Sequence, residues 1–207
     1  MSTVTRISII EKPQAKMNVY LDGALTYALP LDMEKELSVG QILTDEDQIR
    51  LERMSQYFKC LASGKRLVTN RPHSRKELKT KLLQRHYPSE AVDKVLDKLT
   101  EWGLVNDEEF AAYWIDNRNS CNPKSKLLTA AELRDKGVSS AIISAQVKNI
   151  DDSKNAYEIA SRRAERLAGL DKNTFMRRLG SFLERRGFSY ETIRPTVEKL
   201  WVEYKTN

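Results

Sequence analysis

Three stretches of this chain, LLQRHYPSEAVDKVLDKL (residues 82–99), LRDKGVSSAIISAQVKNI (133–150) and LERRGFSYETIRPTVEKL (183–200), align without a gap at offsets of 51 and 50 residues. Six columns agree in character. Leu82, Leu133 and Leu183 coincide, then His86, Gly137 and Gly187, then Tyr87, Val138 and Phe188. Further on come Val92, Ile143 and Ile193, then Leu96, Val147 and Val197, then Leu99, Ile150 and Leu200. The last three columns are spaced by four and three, which is one face of an α-helix. The two glycines follow LRDK and LERR, where a helix ends on a left-handed residue. His86 in the same column reads as a cap of that kind. Ser139, Ser140 and Ser189 offer caps for the next helix. Each window is therefore read as helix, turn, helix.

Outward from these windows, the first two units add a third helix, at 106–119 and 153–168. A period near fifty with one buried face per unit predicts a stacked array. The expected fold is mainly α, with tandem three-helix repeats forming an elongated curved array and a small N-terminal antiparallel β-hairpin region. The boundaries read as a hairpin and short helix over 1–43, a connecting helix over 44–70, and repeats over 71–120, 124–169 and 170–207, the last truncated. The hairpin rests on TRISII (5–10), MNVYL (17–21) and ALTYAL (24–29), with Asp22-Gly23 between the latter two. Asp-Gly there tolerates the positive φ of a type I′ turn. Pro30 ends the sheet, a short helix follows at 31–37, and 38–40 break it. Thr44 then caps a new helix, with Asp45, Glu46 and Asp47 against its N-terminal dipole. Ile49, Leu51, Met54, Phe58 and Leu61 continue it at helical period.

Composition narrows the function classes. The 207 residues include 35 Lys and Arg against 29 Asp and Glu, with 40% hydrophobic and 31% charged residues, a globular balance. The apolar run 7–10 stops at Glu11 and Lys12, and the uncharged run 138–147 is half of what a membrane span needs. Two cysteines, Cys60 and Cys121, make neither a disulfide framework nor a metal spacing and point to a reducing cytoplasm. Secreted, membrane-spanning and zinc-ribbon classes are thereby set aside. Catalytic signals are weak in the same way. Gly64-Lys65 lacks the first glycine and the Ser/Thr of a phosphate loop. His73 and His86 have no partners at metal-ligand spacing. Asp107, Glu108 and Glu109 follow Asn106 and suit a first helical turn better than acid–base work. Ser120-Cys121 has no base nearby. Trp102, Trp114 and Trp201 are read as helix packing. No cofactor is expected.

Charge is the one functional hint. The chain is neutral through residue 123, so the whole net charge of +6 falls in residues 124–207, where seventeen basic residues face eleven acidic ones. Arg162, Arg163, Arg166, Arg177, Arg178, Arg185 and Arg186 dominate, and arginine suits bidentate contact with phosphate or carboxylate. A second basic run, RPHSRKELKTKLLQR (71–85), offers Arg71, Arg75, Lys76 and Lys79. Each set reads either as an anion-contacting surface or as a solvated helix face.

That run, with EAVDKVLDKLTEWGLVNDEEFAAYWIDNR (90–118), KSKLLTAAELRDKGVSSAII (124–143), SFLERRGFSYETI (181–193) and the upstream VYLDG (19–23), resembles the RecX family, regulators of the bacterial recombinase RecA. The resemblance covers about two-thirds of the chain, with His86 in place of the family's usual glycine and Asn106 in place of an acidic residue. It implies a cytoplasmic, non-catalytic monomer acting in homologous recombination, DNA repair and the SOS response. Such a protein binds the RecA filament, in its helical groove, and inhibits its extension, ATP hydrolysis and strand exchange. Single- or double-stranded DNA is the second implied partner, through the basic C-terminal half. A stand-alone basic helical module that binds nucleic acid remains the alternative reading.

Overall fold

In the computed structural model, which describes residues 1–11 and 15–205, the chain divides into two units, Met1–Val105 and Asn106–Asn207. Lys12, which ends the first apolar run, and Thr206 and Asn207, the expected end of the last repeat, lie outside the described residues.

The first unit opens on a sheet of β1 (Ser2–Ile10), β2 (Lys16–Leu21), β3 (Ala24–Leu29) and β4 (Ile42–Leu43), ordered β3-β2-β1-β4, all pairs antiparallel. Asp22 and Gly23 make the β2–β3 turn with φ of 48° and 87°, as the Asp-Gly pair predicts. β4, two residues long, carries too little pattern to be read from sequence. Where the sequence predicts a short helix over 31–37, residues 31–36 form a 3₁₀ helix. The segment is bracketed by Pro30 and the extended Leu37, too short for an α-helix to close its first turns. Val4, Met17, Val19, Leu21, Tyr27, Leu29 and Leu43 bury one face of the sheet against Leu51 of α1 (Asp45–Asn70).

Helix α1 starts on the expected cap. Thr44 and Asp47 form a reciprocal capping box, the Thr44 hydroxyl accepting from the Asp47 amide at 3.1 Å. The helix is more than a connector. Its second half, with Cys60 and Leu67, packs against α2 (Arg75–Leu83) and α3 (Ser89–Glu101) through Leu78, Leu82, Val92, Val95, Leu96 and Leu99. Gly64 is the point of closest approach: a Cβ there would lie 2.9 Å from Leu99 Cδ1 and 3.3 Å from Val95 Cγ1. The glycine that mimics a phosphate loop in sequence is thus a helix-packing residue.

The second unit repeats this arrangement twice. Helices α4 (Asp107–Cys121), α5 (Lys126–Asp135) and α6 (Ser140–Val147) enclose Phe110, Ala111, Ile115, Leu133, Val138, Ile143 and Ile150. Helices α7 (Asp152–Ala164, extended by a 3₁₀ turn over Glu165–Leu167), α8 (Lys172–Glu184) and α9 (Tyr190–Lys205) enclose Ala156, Ile159, Ala160, Ala164, Phe175, Leu179, Leu183, Phe188, Val197 and Leu200. The sequence reading gave each third helix to the preceding unit; in the structure it packs with the hairpin that follows. The last repeat, expected to be truncated, is accordingly complete. The reason lies in burial: Phe110 and Ala111 find their apolar partners on α5 and α6, and Ala156 and Ala160 theirs on α8 and α9.

The turns are as the alignment predicts. His86, Gly137 and Gly187 have φ of 62°, 83° and 80°. The Val138 and Phe188 amides return to the Leu133 and Leu183 carbonyls at 3.1 and 3.4 Å, closing a Schellman-type cap. Gly187 has a second reason to be glycine, since a Cβ there would stand 2.6 Å from Ser125 Oγ. Ser139 caps α6 through the Ile142 amide, whereas Ser140 is already helical.

Candidate functional site

The fold treats the two basic sets differently. Around α2, Arg71, Arg75 and Lys79 each meet a carboxylate. Arg71 makes a two-pronged contact with Glu77 at 2.8 and 3.1 Å, both groups largely buried. Arg75 reaches Asp97 at 2.6 Å and Thr100 at 3.1 Å on α3, and Lys79 reaches Asp93 at 2.6 Å. Lys76 is exposed on the helix surface. Arg75 and Lys79 bridge α2 to α3 at the surface, while Arg71 is held by Glu77 where both are largely buried.

Arg163 of α7 and Arg185 and Arg186 at the end of α8 come together without forming an ion pair among the described residues. Arg162, by contrast, is bonded to Glu158 at 2.8 Å one helical turn earlier. Among the described residues, Arg163, Arg166, Arg177, Arg178, Arg185 and Arg186 make no ion pair, and all but Arg186 are exposed. Arg178, Phe182 and Arg186 follow one another at four-residue steps, so they share a face of α8 and its C-terminal turn. The guanidinium carbon of Arg186 lies 4.0 Å from the centre of the Phe182 ring, and that of Arg163, from α7, lies 5.6 Å from the same centre. The helix C-terminus favours cations here, and the ring face attracts them. Arg186 nonetheless sits badly for a charge. Its Nε is buried and has no hydrogen-bond partner. Burial pushes its pKa below the ordinary guanidinium value, and Arg185 and Arg163 push it the same way. Arg177 points elsewhere, into a groove between α8 and α9 with Arg194, Glu184 and Glu198.

The sequence reading missed two further features. Glu132 on α5 accepts from Trp114 Nε1 at 3.0 Å, Arg118 Nε at 2.9 Å and Lys124 Nζ. Burial opposes its ionisation, but those three donors outweigh burial and hold the carboxyl below its usual range. Trp114 thus packs as predicted while bonding a charge, and Trp201 stands edge-on to Phe175 at 5.2 Å. Trp102 departs from the helix-packing expectation: it is 42% exposed, with Lys65 and Lys98 ammonium groups 4.4 and 5.3 Å from its ring centre. A WGL triplet straight after a lysine-rich helix end was the available signal.

Nucleophile and metal chemistry find little to work with. Cys60 is buried, which pushes its thiol up to about 11, far from a reactive thiolate. Asp107, Glu108 and Glu109 occupy the first turn of α4 behind the Asn106 cap. Among the described residues no three His, Cys, Asp or Glu side chains are grouped to hold a metal, and no helix is long and apolar enough to cross a membrane.

The comparisons fall on this architecture domain by domain. Residues 60–99, 106–145 and 151–197 match the family models for the first, second and third three-helix domains of RecX. A curated regulatory protein RecX of Chlorobium phaeobacteroides is 35% identical over 136 residues, 66% of this chain and 89% of that protein. The chain belongs to the RecX family of regulatory proteins. RecX of Streptomyces coelicolor is 35% identical over 127 residues (60% of this chain, 68% of that one). RecX of Clostridium perfringens strain SM101 is 27% identical over 207 residues, covering 97% of both chains. Among solved structures, a regulatory protein RecX superposes with a TM-score of 0.70 at 18% identity, covering 94% of this chain and 98% of its own. RecX from Lactobacillus salivarius superposes with 0.60 at 19% identity, covering 70% and 96%. The three RecX domains coincide with the three helical cores, which supports the helix grouping seen in the structure over the one read from sequence.

Proposed function

We propose that this chain is a non-catalytic cytoplasmic regulator of homologous recombination and repair. It binds the RecA nucleoprotein filament and restrains filament extension, ATP hydrolysis and strand exchange. Membership in the RecX family supports the class of function. The observation that selects the working surface is the uncompensated arginine cluster of the third domain. Paired cations such as Arg71 and Arg75 have little left to offer a partner, whereas Arg163, Arg166, Arg178 and Arg185 are exposed and unmatched by acids. Tandem domains supply further contacts, and a single chain suffices.

The test is DNA-dependent ATP hydrolysis by RecA under titration with the wild-type chain and with the fourfold variant Arg163→Glu, Arg166→Glu, Arg178→Glu, Arg185→Glu. Exposed charges contribute little to stability, so the variant folds. Its inhibitory midpoint is expected to rise by about tenfold or more at low salt and by less at high salt, since screening weakens what the arginines contribute. An unchanged midpoint overturns the surface assignment. Binding to naked single-stranded DNA and to a nucleotide-bound RecA filament at one salt concentration tests the class: preference for the filament is expected, and equal binding makes the protein a stand-alone nucleic-acid binder.

A further inference from the structure

We propose that Arg186 and Arg163 over the Phe182 ring, with Arg185 beside them, form a built phosphate site, and that it takes a phosphodiester of a single-stranded polynucleotide. This rests on the reading of the α7–α8 face as a polyanion contact and gives that face its centre.

Three observations carry it. First, the Arg186 Nε–H is buried with no acceptor. A buried donor without a partner costs stability, so the fold holds it at a loss that an incoming oxygen would recover. Second, the charges acting on Arg186 are Arg185 and Arg163, both of its own sign. Three guanidinium groups without a carboxylate favour an external anion. Third, Arg186 is held from behind. Its carbonyl accepts from the Ser125 amide at 3.2 Å, and the next residue, Gly187, seats the turn directly on Ser125 and Leu128. The backbone is fixed before a ligand arrives, and Phe182 at 4.0 Å fixes the plane of the side chain.

The ligand chemistry follows from the donors. A guanidinium edge, Nε with one terminal nitrogen, matches two oxygens of a phosphate. A lone carboxylate would compensate only one of three charges. A polynucleotide brings a charge at every residue, and exposed Arg178 and Arg166 lie on the same helices to meet its neighbouring phosphates. Because Nε is closed to solvent, an oxyanion reaches it only as the groups covering it move aside.

The experiment follows the arginine Nε–H signals of the full-length chain by nitrogen-edited NMR, with the Arg186 signal identified by its loss in Arg186→Lys. Oligo(dT), inorganic phosphate at equal phosphorus and polyglutamate at equal charge are added separately. The Arg186 signal is expected to move with oligo(dT) and to stay in place with the other two. Arg186→Gln is expected to weaken oligo(dT) binding by about tenfold and to lower the log–log salt slope by about 0.7. Arg186→Lys should lose severalfold in affinity with an unchanged slope. If Arg186→Gln fails to fold, the NMR arms and Arg186→Lys decide alone. No movement with oligo(dT), equal movement with polyglutamate or inorganic phosphate, or full affinity in Arg186→Lys each overturns the site. RecA is absent throughout, so loss of recombinase regulation and loss of this site are read separately.

Discussion

The first and third domains share a scaffold and a surplus of basic residues, and they use the residues in opposite ways. In the first, Arg71, Arg75 and Lys79 each meet a carboxylate within 2.6–2.8 Å, and two of the three pairs bridge α2 to α3. In the third, Arg163 and Arg186 converge on Phe182, with Arg185 close enough to act on Arg186, and none of the three makes an ion pair among the described residues. The first pattern spends charge on internal cohesion. The second leaves it uncompensated, with the Arg186 Nε buried and unbonded. Arginine density in a sequence therefore says little until the partners are known.

The comparison presumes that the domains are equivalent scaffolds, and the largest expected effects test that premise. Val92, Ile143 and Ile193 occupy one column, but the first two are buried and Ile193 is only partly so. Val92→Asp and Ile143→Asp should each cost about 4 kcal/mol or more, because an unpaired carboxylate cannot stay in an apolar core. Ile193→Asp should cost markedly less. Thermal denaturation of the three variants checks this; a milder effect at Ile143 than at Ile193 would mean that the repeats are out of register.

The columns behind that prediction were legible because local chemistry repeats: a leucine, a left-handed turn residue and a helical face recur at a fixed period. The phase of the repeat was not. Cys60, Gly64 and Leu67 read as part of a connecting helix, and only the packing against Val95 and Leu99 shows that they open the first domain. The ion pairs were hidden for a related reason. Asp97 lies 22 residues from Arg75 and Asp93 lies 14 from Lys79, so pairing depends on how α2 meets α3. The candidate site was half legible. Its arginines stood out by number, but Phe182 beneath them and the unsatisfied Nε of Arg186 belong to tertiary structure alone.

A medium-sized effect separates the two uses of charge directly. Glu77 is mostly buried under Arg71, so Glu77→Gln takes the carboxylate away from a partly buried guanidinium and should cost about 2 kcal/mol. Arg186→Met removes a cation that has no counterion, and replacing such a group by an apolar side chain is neutral or stabilising. Its melting temperature should match or exceed that of the wild type, even though oligonucleotide binding falls. A clear loss of stability in Arg186→Met would mean that the third domain, too, spends its arginine internally.

The smallest effect asks whether the first domain can be pushed toward the third. His73 is 3% exposed in the basic run; its Nδ1 lies 2.9 Å from the Arg71 carbonyl and its Nε2 lies 3.0 Å from Lys81 Nζ. The geometry fits a neutral ring that donates from Nδ1 and accepts the Lys81 ammonium at Nε2. Burial lowers its pKa, and the charges of Arg71 and Lys81 lower it further, against the opposing pull of the Arg71 carbonyl and Glu77. Protonation would take away the acceptor and place a third cation beside Arg71 and Lys81. Since the folded value lies below the unfolded one, near 6.5, the unfolded chain takes up the proton first as pH falls. The contribution of neutral His73 is then complete above about pH 6.5 and is lost as pH drops through the folded value, at no more than about 1.4 kcal/mol per pH unit. Denaturant titrations from pH 8 to 5 should show this decline in the wild type and a flatter profile in His73→Gln, which keeps a donor and an acceptor without titrating. Parallel profiles for the two proteins would show that His73 carries no such linkage, and that acid leaves the charge balance of the first domain untouched.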